Sequence, residues 1–351
     1  MEERRAVGES MMAVVLHEKG GARVLRYQSV PRPRPAADEV LVRVHATSVN
    51  HTDIFHRGGR FIIQKDLPHI LGMDVAGEIA ELGAGVQGWC LGDRVLATFE
   101  ALGRERDGGY AEYTTVPSSQ LHRIPEGLDH VAAASVGLAF TTAWIALLYV
   151  GRLEGGERVV IHAASSGVGI SALQIARWRG AQVIAISEAG KALRLRSLGA
   201  AHVVDRRTAD VVGQVIDATG GRGASLVLEL VGRGSLKSSL EMLAPEGRIV
   251  CAGTLSGDLG ELNVMDLMLK RASVHGCFGV IRPEDFDTIL RLFAEGTFRP
   301  IIDSVLPLRD AATAHERIEA RQTVGKVVLV PEAFLDAANA EAPGRLVESR
   351  P

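Results

Sequence analysis

The chain has 351 residues, of which 46% are hydrophobic and 23% charged, a composition typical of a globular protein with two domains. Its 39 basic and 42 acidic residues leave a formal net charge of −3, so we expect neither nucleic acid nor a membrane surface as a partner. No apolar run approaches the roughly 18 residues that a membrane span needs, and residues 1–5 lack the apolar core of a signal peptide. With only three cysteines, the sequence predicts a cytoplasmic protein.

The first part of the chain predicts a strand-rich domain. Residues 13–16 and 40–44 are apolar runs suited to strands, and the Pro-rich residues 31–35 between them exclude a regular element. Short apolar runs interrupted by Gly, Pro and Asp continue to about residue 125. This pattern indicates an antiparallel sheet.

The pattern changes after Asp129. Residues 131–150 form a long apolar segment with helical spacing, and from residue 158 apolar strands alternate with helices. Strands are predicted at 159–162, 182–186, 226–230 and 248–252, with helices at 169–179 and 191–198. Buried strands that alternate with helices indicate an α/β domain with a doubly wound parallel sheet.

The last part of the chain returns to mixed structure and has a predicted strand at 325–330. The changes of pattern divide the chain into a strand-rich segment of residues 12–128, an alternating segment of residues 129–280 and a mixed segment of residues 281–331. Residues 1–11 and 332–351 are predicted to be flexible termini.

A dinucleotide-binding motif follows the first strand of the alternating region. Residues 164–169 (ASSGVG) align with the GxGxxG fingerprint, with only its last glycine retained. The motif lies between a predicted strand and a predicted helix, where the helix N-terminus attracts a pyrophosphate. It predicts cofactor contacts from Ser166, Gly167, Val168 and Gly169; the alternative is an ordinary tight turn in an α/β sheet.

The end of the next strand bears on the choice between NAD and NADP(H). NAD enzymes usually carry an acid there for the ribose 2′-hydroxyl. This chain has Ser187, then Lys191 after a short loop and Arg206 after the third strand, which suits a 2′-phosphate. We predict NADP(H), although Glu188 lies beside these groups and Lys191 alone is equally consistent with a solvated helix-start lysine.

Five further motifs carry a family resemblance: residues 48–53 (SVNHTD), 67–77 (LPHILGMDVAG), 92–95 (GDRV), 108–113 (GGYAEY) and 325–329 (GKVVL). With the nucleotide motif, they resemble the medium-chain dehydrogenase/reductase superfamily, in its zinc-independent quinone oxidoreductase and enoyl reductase branch. The resemblance implies a GroES-like β-rich catalytic domain of residues 12–128 and 281–331, with a nucleotide-binding Rossmann domain of residues 129–280 inserted in it. It also implies a homodimer that pairs the edge strands of two Rossmann sheets, here at residues 272–278.

Zinc enzymes of this superfamily hold a catalytic ion with Cys, His and Cys ligands. The corresponding positions here are Asn50, Met73 and the cysteine-free residues 135–139, and residues 98–107 replace the lobe with the four cysteines of the structural zinc. Asn and Met are poor zinc ligands, so no metal is predicted. A different metal site among His51, Asp53, His56, His69 and Asp74 is the alternative that the sequence leaves open.

Without a Lewis acid, hydride addition to a conjugated carbonyl is easier than oxidation of an alcohol. The resemblance places Asn50 in the cleft for nicotinamide and substrate, so we predict that it orients one of them, with His51 and Asp53 as further catalytic candidates. Asp53 could instead cap backbone amides. The resemblance also assigns the nicotinamide and its ribose to residues on a helix and at the ends of late strands: Thr142, Gly253, Phe278 and Gly279.

The predicted function is therefore the NADP(H)-dependent reduction of a small-molecule quinone, enone or other α,β-unsaturated carbonyl. Two alternatives remain: a zinc-free alcohol or aldehyde dehydrogenase, and a non-catalytic NADP(H)-binding protein. The non-catalytic alternative is kept because Phe55 and Phe61 stand where related quinone reductases often carry tyrosines.

Overall fold

A computed structural model describes residues 9–60, 66–98 and 100–340. The chain divides into two compact units. The first comprises the residues up to Leu138, residues 293–295 and the residues from Arg299 onward; the second comprises residues 139–292 and 296–298. Within the described ranges, no helix combines the length and apolarity that a membrane crossing requires.

The strands, in chain order, are β1 (Ser10–Leu16), β2 (Leu25–Pro31), β3 (Glu39–Val49), β4 (His69–Ile70), β5 (Asp74–Leu82), β6 (Arg94–Thr98), β7 (Tyr113–Pro117), β8 (His122–Arg123), β9 (Arg158–Ile161), β10 (Gln182–Ser187), β11 (His202–Asp205), β12 (Ala224–Glu229), β13 (Leu243–Cys251), β14 (Ser273–Gly276), β15 (Ile302–Pro307) and β16 (Lys326–Val330). The helices are α1 (His51–Arg57), α2 (His130–Ala134), α3 (Gly137–Trp144), α4 (Gly167–Trp178), α5 (Ala192–Ser197), α6 (Val211–Ala218), α7 (Leu236–Glu241), α8 (Val264–Lys270), α9 (Pro283–Ala294), α10 (Ala311–Glu319) and α11 (Leu335–Ala340).

The first unit is the predicted strand-rich domain. Its larger sheet has the order β15-β16-β3-β5-β6-β8, with β7 also paired to β3, and a smaller sheet has the order β2-β1-β4. Every pair in these sheets is antiparallel except β15 with β16. The C-terminal strand β16 lies against β3, with Val327 opposite Val49, so the two ends of the chain build one sheet.

The second unit is the predicted doubly wound α/β domain. Its six strands are all parallel, in the order β11-β10-β9-β12-β13-β14. This order reverses between β9 and β12, and nucleotides bind at such a reversal, outside the carboxyl ends of the strands. The central strands are buried because helices cover the sheet, and Val160, Ile184 and Val227 belong to one core cluster.

The long apolar segment at residues 131–150, whose spacing predicted helix, is helical but is broken into three pieces. Helix α2 ends at Ala134, α3 begins at Gly137, and residues 145–150 form a π-helical turn. The restart has a tertiary cause: a Cβ on Gly137 would lie 2.1 Å from Asp74 Oδ1, and the Leu138 amide donates to that oxygen at 2.8 Å. The break therefore lets the backbone approach a buried carboxylate.

The structure also corrects the predicted boundaries. The second unit begins at Ala139 rather than at residue 129. It extends to Leu292 rather than to residue 280, because Tyr149 donates to Asp285 and accepts from Arg282, which attaches the start of α9 to this unit. Of the termini predicted to be flexible, residues 10–11 belong to β1 and residues 332–340 are helical, with Tyr27 donating to Glu332 at 2.5 Å. Residues 1–8 and 341–351 lie outside the described residues.

Candidate active site and nucleotide-binding loop

The first unit is organised around the buried carboxylate of Asp74, at the start of β5. Its Oδ1 accepts from Thr98 Oγ1 at 2.6 Å and from the Leu138 amide at 2.8 Å. Its Oδ2 accepts from Ser48 Oγ at 2.6 Å and from Asn50 Nδ2 at 2.8 Å. Charge-assisted hydrogen bonds of this kind hold an ionised carboxylate in a dry site.

A buried ammonium group completes this cluster. Lys326 Nζ, at the first residue of β16, lies 2.5 Å from Asn50 Oδ1 and 3.5 Å from Asp74 Oδ2, and the lysine is only 6% exposed. Burial lowers the pKa of Lys326, and the nearby charges of Asp74 and Asp53 oppose that shift. Sequence reasoning missed this residue, since the 325–329 motif was used only for its resemblance.

Asn50 lies at the centre of the cluster and is 8% exposed. Lysine can only donate, so the Asn50 oxygen faces Lys326 and its NH2 group faces Asp74. The amide keeps one N–H and the ammonium keeps further N–H bonds for another acceptor. An acceptor that gains negative charge would be stabilised there.

Asp53 has the structural role that the sequence offered as its alternative. Its carboxylate accepts from the amide of Asn50 at 2.8 Å, closing a capping box on α1, and from the amide of Gly72 at 3.1 Å. Burial raises the pKa of Asp53 to about 7. The side chain therefore fixes the backbone that presents Asn50.

His51 is an unsuitable proton donor at neutral pH. Burial lowers the pKa of its imidazole to about 4, and the positive charges of Lys326 and Arg321 add to the effect. The ring is therefore neutral at pH 7.

A second buried network supports the helix that carries these residues. Arg57 Nη1 donates to His315 Nδ1 at 3.2 Å, and His315 Nε2 lies 3.0 Å from the hydroxyl of Tyr110. Because Arg can only donate, the His315 proton must be on Nε2 and point to Tyr110. Burial, together with the negative charge of Asp53, raises the pKa of Tyr110. The network ties α10 to α1.

The position of the histidine ligand in zinc relatives is apolar here. Met73 is fully buried and packs against Leu138. A thioether in a hydrocarbon contact lacks the imidazole or thiolate that zinc requires, and the neighbouring Asn50 amide already binds Lys326 and Asp74. The donor set at this site therefore does not fit a catalytic zinc.

The predicted pyrophosphate loop lies at the start of α4, in the second unit. Ser166 is the N-cap residue, and its Oγ accepts from the Gly169 amide at 3.1 Å. The first-turn amides of Gly167 and Val168 have no acceptor within a helix, so they can bind an anion. A Cβ on Gly169 would lie 2.5 Å from Ala163 O, which explains why this glycine of the fingerprint is retained. These residues fit a nucleotide pyrophosphate.

The cationic groups proposed for the 2′-phosphate surround the end of β10. Lys191 Nζ lies 3.4 Å from Ser165 Oγ, beside the pyrophosphate loop. Arg206 forms an ion pair with Glu188, and its backbone amide donates to the Ser187 carbonyl at 2.7 Å. The structure thus brings Ser187 and Arg206 together. Glu188 partly neutralises this positive group.

The remaining predicted cofactor residues belong to the same unit but are spread over it. Thr142 is half-buried on α3, and Gly253 follows β13, where a Cβ would lie 2.6 Å from Leu230 O. Phe278 is 72% exposed, and Gly279 has φ +153°, beyond β14. Gly253 is therefore required by close backbone packing, whereas the roles of the other three stay predictions.

Comparisons with known proteins agree with this architecture. Residues 36–126 match the alcohol dehydrogenase GroES-like domain, and residues 198–329 match the zinc-binding dehydrogenase family. The quinone oxidoreductase of Rattus norvegicus is 36% identical over 335 residues, which cover 93% of this chain and 99% of the relative. The 2-haloacrylate reductase of a Burkholderia species is 30% identical, with coverage of 92% and 100%.

Solved structures give the same result. A mycobacterial protein in complex with NADPH is 31% identical, has a TM-score of 0.80 and covers 92% of this chain and 100% of its own. One half of the chain is GroES-like, and the other half has the Rossmann strand order and a capped phosphate loop. This combination defines a nucleotide-dependent oxidoreductase. The chain belongs to the medium-chain dehydrogenase/reductase superfamily, in its zinc-independent quinone oxidoreductase branch.

Proposed function

We propose that this protein uses NADPH to reduce a quinone, an enone or another α,β-unsaturated carbonyl compound. The observation that carries the proposal is the buried cation of Lys326 beside Asn50, a position that carries a zinc ligand in the resembling zinc enzymes. The activities for which the rat quinone oxidoreductase and the Burkholderia 2-haloacrylate reductase are named support the same substrate class.

The nicotinamide supplies a hydride when it is bound. The protein must then bind the carbonyl oxygen on which negative charge develops. The unused N–H groups of Asn50 and Lys326 suit that oxygen, because a fixed cation and an amide stabilise charge best where water is excluded. Asp74 keeps both groups in place. With His51 neutral and Phe55 and Phe61 replacing tyrosines, solvent protonates the product carbon in this scheme.

The preference for NADPH over NADH rests on Lys191 and Arg206. A 2′-phosphate would form charge-assisted hydrogen bonds with both, after Arg206 exchanges part of its contact with Glu188. The NADPH complex of the mycobacterial neighbour supports this choice.

The test is NADPH oxidation against a panel of quinones, enones and enoyl thioesters, with NADH run in parallel. Turnover of at least one conjugated carbonyl, and none of simple alcohols with NADP+, is the expected result. Alcohol oxidation alone would replace the proposal with a dehydrogenase function. Tight NADPH binding with no turnover on the whole panel would indicate a non-catalytic nucleotide-binding protein.

We also propose that the protein is a cytoplasmic homodimer, with β14 of each chain pairing across a two-fold axis. All four residues of β14 are exposed at the edge of the Rossmann sheet, and Val274, Phe278 and Val280 expose apolar side chains beside it. Unpaired edges of this kind readily take another strand. Sedimentation should give a dimer for the wild-type chain and a monomer for Val274→Lys; a monomeric wild-type chain would exclude this assembly.

A further inference from the structure

We propose that His45, Glu78 and His130 form a site for a divalent metal ion, with Zn²⁺ as the best-suited ion. The site is separate from the Asp74 cluster and from the nucleotide loop, and its metal has no part in the proposed hydride transfer. Each residue offers one donor atom, and these atoms all lie within 4.8 Å of one another.

The backbone around His45 directs its ring toward the other two residues. In the pairing of β3 with β5, Val44 lies opposite Gly77 and Ala46 opposite Ala76, so His45 is the extra residue of a β-bulge. A bulge re-aims the side chain that it carries. The ring is further held by Phe334, which stacks on it at 3.8 Å with an interplanar angle of 18°.

The two imidazoles have donor atoms to offer. Among the described residues, neither His45 Nε2 nor His130 Nε2 has a hydrogen-bond partner, although both atoms are buried. His45 Nε2 lies 3.6 Å from Glu78 Oε2, which is beyond a good hydrogen bond. The ring centroids of His45 and His130 are 4.2 Å apart. Buried polar atoms without partners are costly, and a shared metal would satisfy both.

The geometry permits an ion after small side-chain movements. Zinc binds nitrogen and carboxylate oxygen at about 2.0–2.2 Å, so two donors on one ion are at most about 4.3 Å apart. Glu78 is 37% exposed and can rotate to close the set. Two imidazoles and one carboxylate are a known zinc ligand set, and water would fill the fourth position.

Bound metal would connect three separate elements of the first unit: the bulge of β3, the middle of β5 and the first residue of α2. Arg43 and Arg94 are the residues opposite Glu78 on its two neighbouring strands, and their positive charges oppose a cation. We therefore expect reversible binding and a rise in the melting temperature, since a ligand of the folded state stabilises it.

The experiment titrates the full-length, tag-free wild-type chain with Co²⁺, followed by its visible absorption, and then displaces Co²⁺ with Zn²⁺. One ion per chain with the spectrum of a nitrogen- and oxygen-ligated site is expected. His130→Gln and Glu78→Gln should each weaken binding at least about tenfold, in keeping with the loss of a ligand. His45→Phe keeps a ring against Phe334 and should abolish binding.

His17→Gln is the matched control, because His17 is an exposed histidine of the same unit. It should leave the affinity unchanged. Far- and near-ultraviolet circular dichroism spectra equal to those of the wild-type chain show that each variant is folded. The proposal is overturned by absence of saturable binding in the wild-type chain, or by wild-type affinity in His130→Gln and Glu78→Gln.

Discussion

The ammonium group of Lys326 lies 2.5 Å from the side-chain oxygen of Asn50, inside the first unit. This contact joins the last strand of the sheet to the helix cap that follows β3. It places a positive charge beside Asn50, whose position carries a zinc ligand in the zinc enzymes that the sequence resembles. The site's positive charge is therefore part of the polypeptide.

Removing that charge should destabilise the fold. Lys326→Met leaves the Asp74 carboxylate buried without its ammonium, and breaking a buried pair costs about 3–5 kcal/mol. The free energy of unfolding in urea measures the loss. The double variant Lys326→Met/Asp74→Asn should recover part of it, because no unpaired charge remains; strictly additive losses would mean that the pair does not interact.

Asn50 is the most direct test of the proposed chemistry. Asn50→Ala removes a contact made with the carbonyl oxygen in the transition state, so kcat and kcat/KM should fall together, by about tenfold or more. NADPH affinity should stay nearly unchanged, since the pyrophosphate loop is intact. Thr52→Val in the same helix is the control. Full turnover in Asn50→Ala would remove this residue from the mechanism.

Cofactor choice is tested at Lys191. Lys191→Ala should weaken NADPH binding by roughly 1–3 kcal/mol, the range for a charge-assisted contact, and leave NADH nearly unaffected. Fluorescence titration with both cofactors measures the difference, and Lys237→Ala, at an exposed lysine of the same unit, is the control. Equal losses for both cofactors would place Lys191 away from the 2′-phosphate.

Acid should destabilise the protein through buried neutral histidines. Burial, with the charge of Arg57, lowers the pKa of His315 to about 3, so the folded state binds no proton there while the unfolded chain binds one below its pKa of about 6.5. The contribution of His315 to the free energy of unfolding is complete above pH 6.5 and is lost as the pH falls from 6.5 toward 3. His45, His51, His56 and His130, each with a pKa of about 4, act in the same direction.

Asp53 acts in the opposite direction, because its pKa of about 7 lets the folded state gain a proton that the unfolded chain binds only near pH 4. The five histidines together bind more protons on unfolding than the single carboxyl group of Asp53 releases. The free energy of unfolding should therefore fall between pH 6.5 and 4. Urea melts at half-unit steps measure the slope. His315→Gln should make it shallower and the exposed His17→Gln should not; a flat profile would contradict buried neutral histidines.

Chelation should leave the proposed reductase activity intact. The Asn50, Met73 and Lys326 side chains provide no zinc ligand set, so overnight treatment with EDTA should change the rate of NADPH oxidation by less than the error of the assay. A loss of activity that added Zn²⁺ restores would show that a metal takes part in the reaction.

The parallel sheet and the phosphate loop were predictable because their signals are local. Apolar runs specify β9 and β10, and the turn with Ser166 and Gly169 follows directly in sequence. Lys326 was not predictable as a site residue, since it meets Asn50 across a separation of 276 residues and an isolated lysine before a strand has no distinctive pattern. The break before Gly137 was missed for the same reason, because its cause is the distant Asp74.

The pairing of β16 with β3 also orders events during synthesis. The ribosome synthesises the whole Rossmann segment before it reaches Lys326, so the second unit can fold first. During that time Asp74 and Asn50 lack the ammonium group that they contact in the folded protein. Residues 47–49 of β3 lack their β16 partner for the same period. Nascent chains that stall before residue 326 should therefore carry a finished nucleotide-binding half and an incomplete first unit, which makes that unit the natural substrate of chaperones.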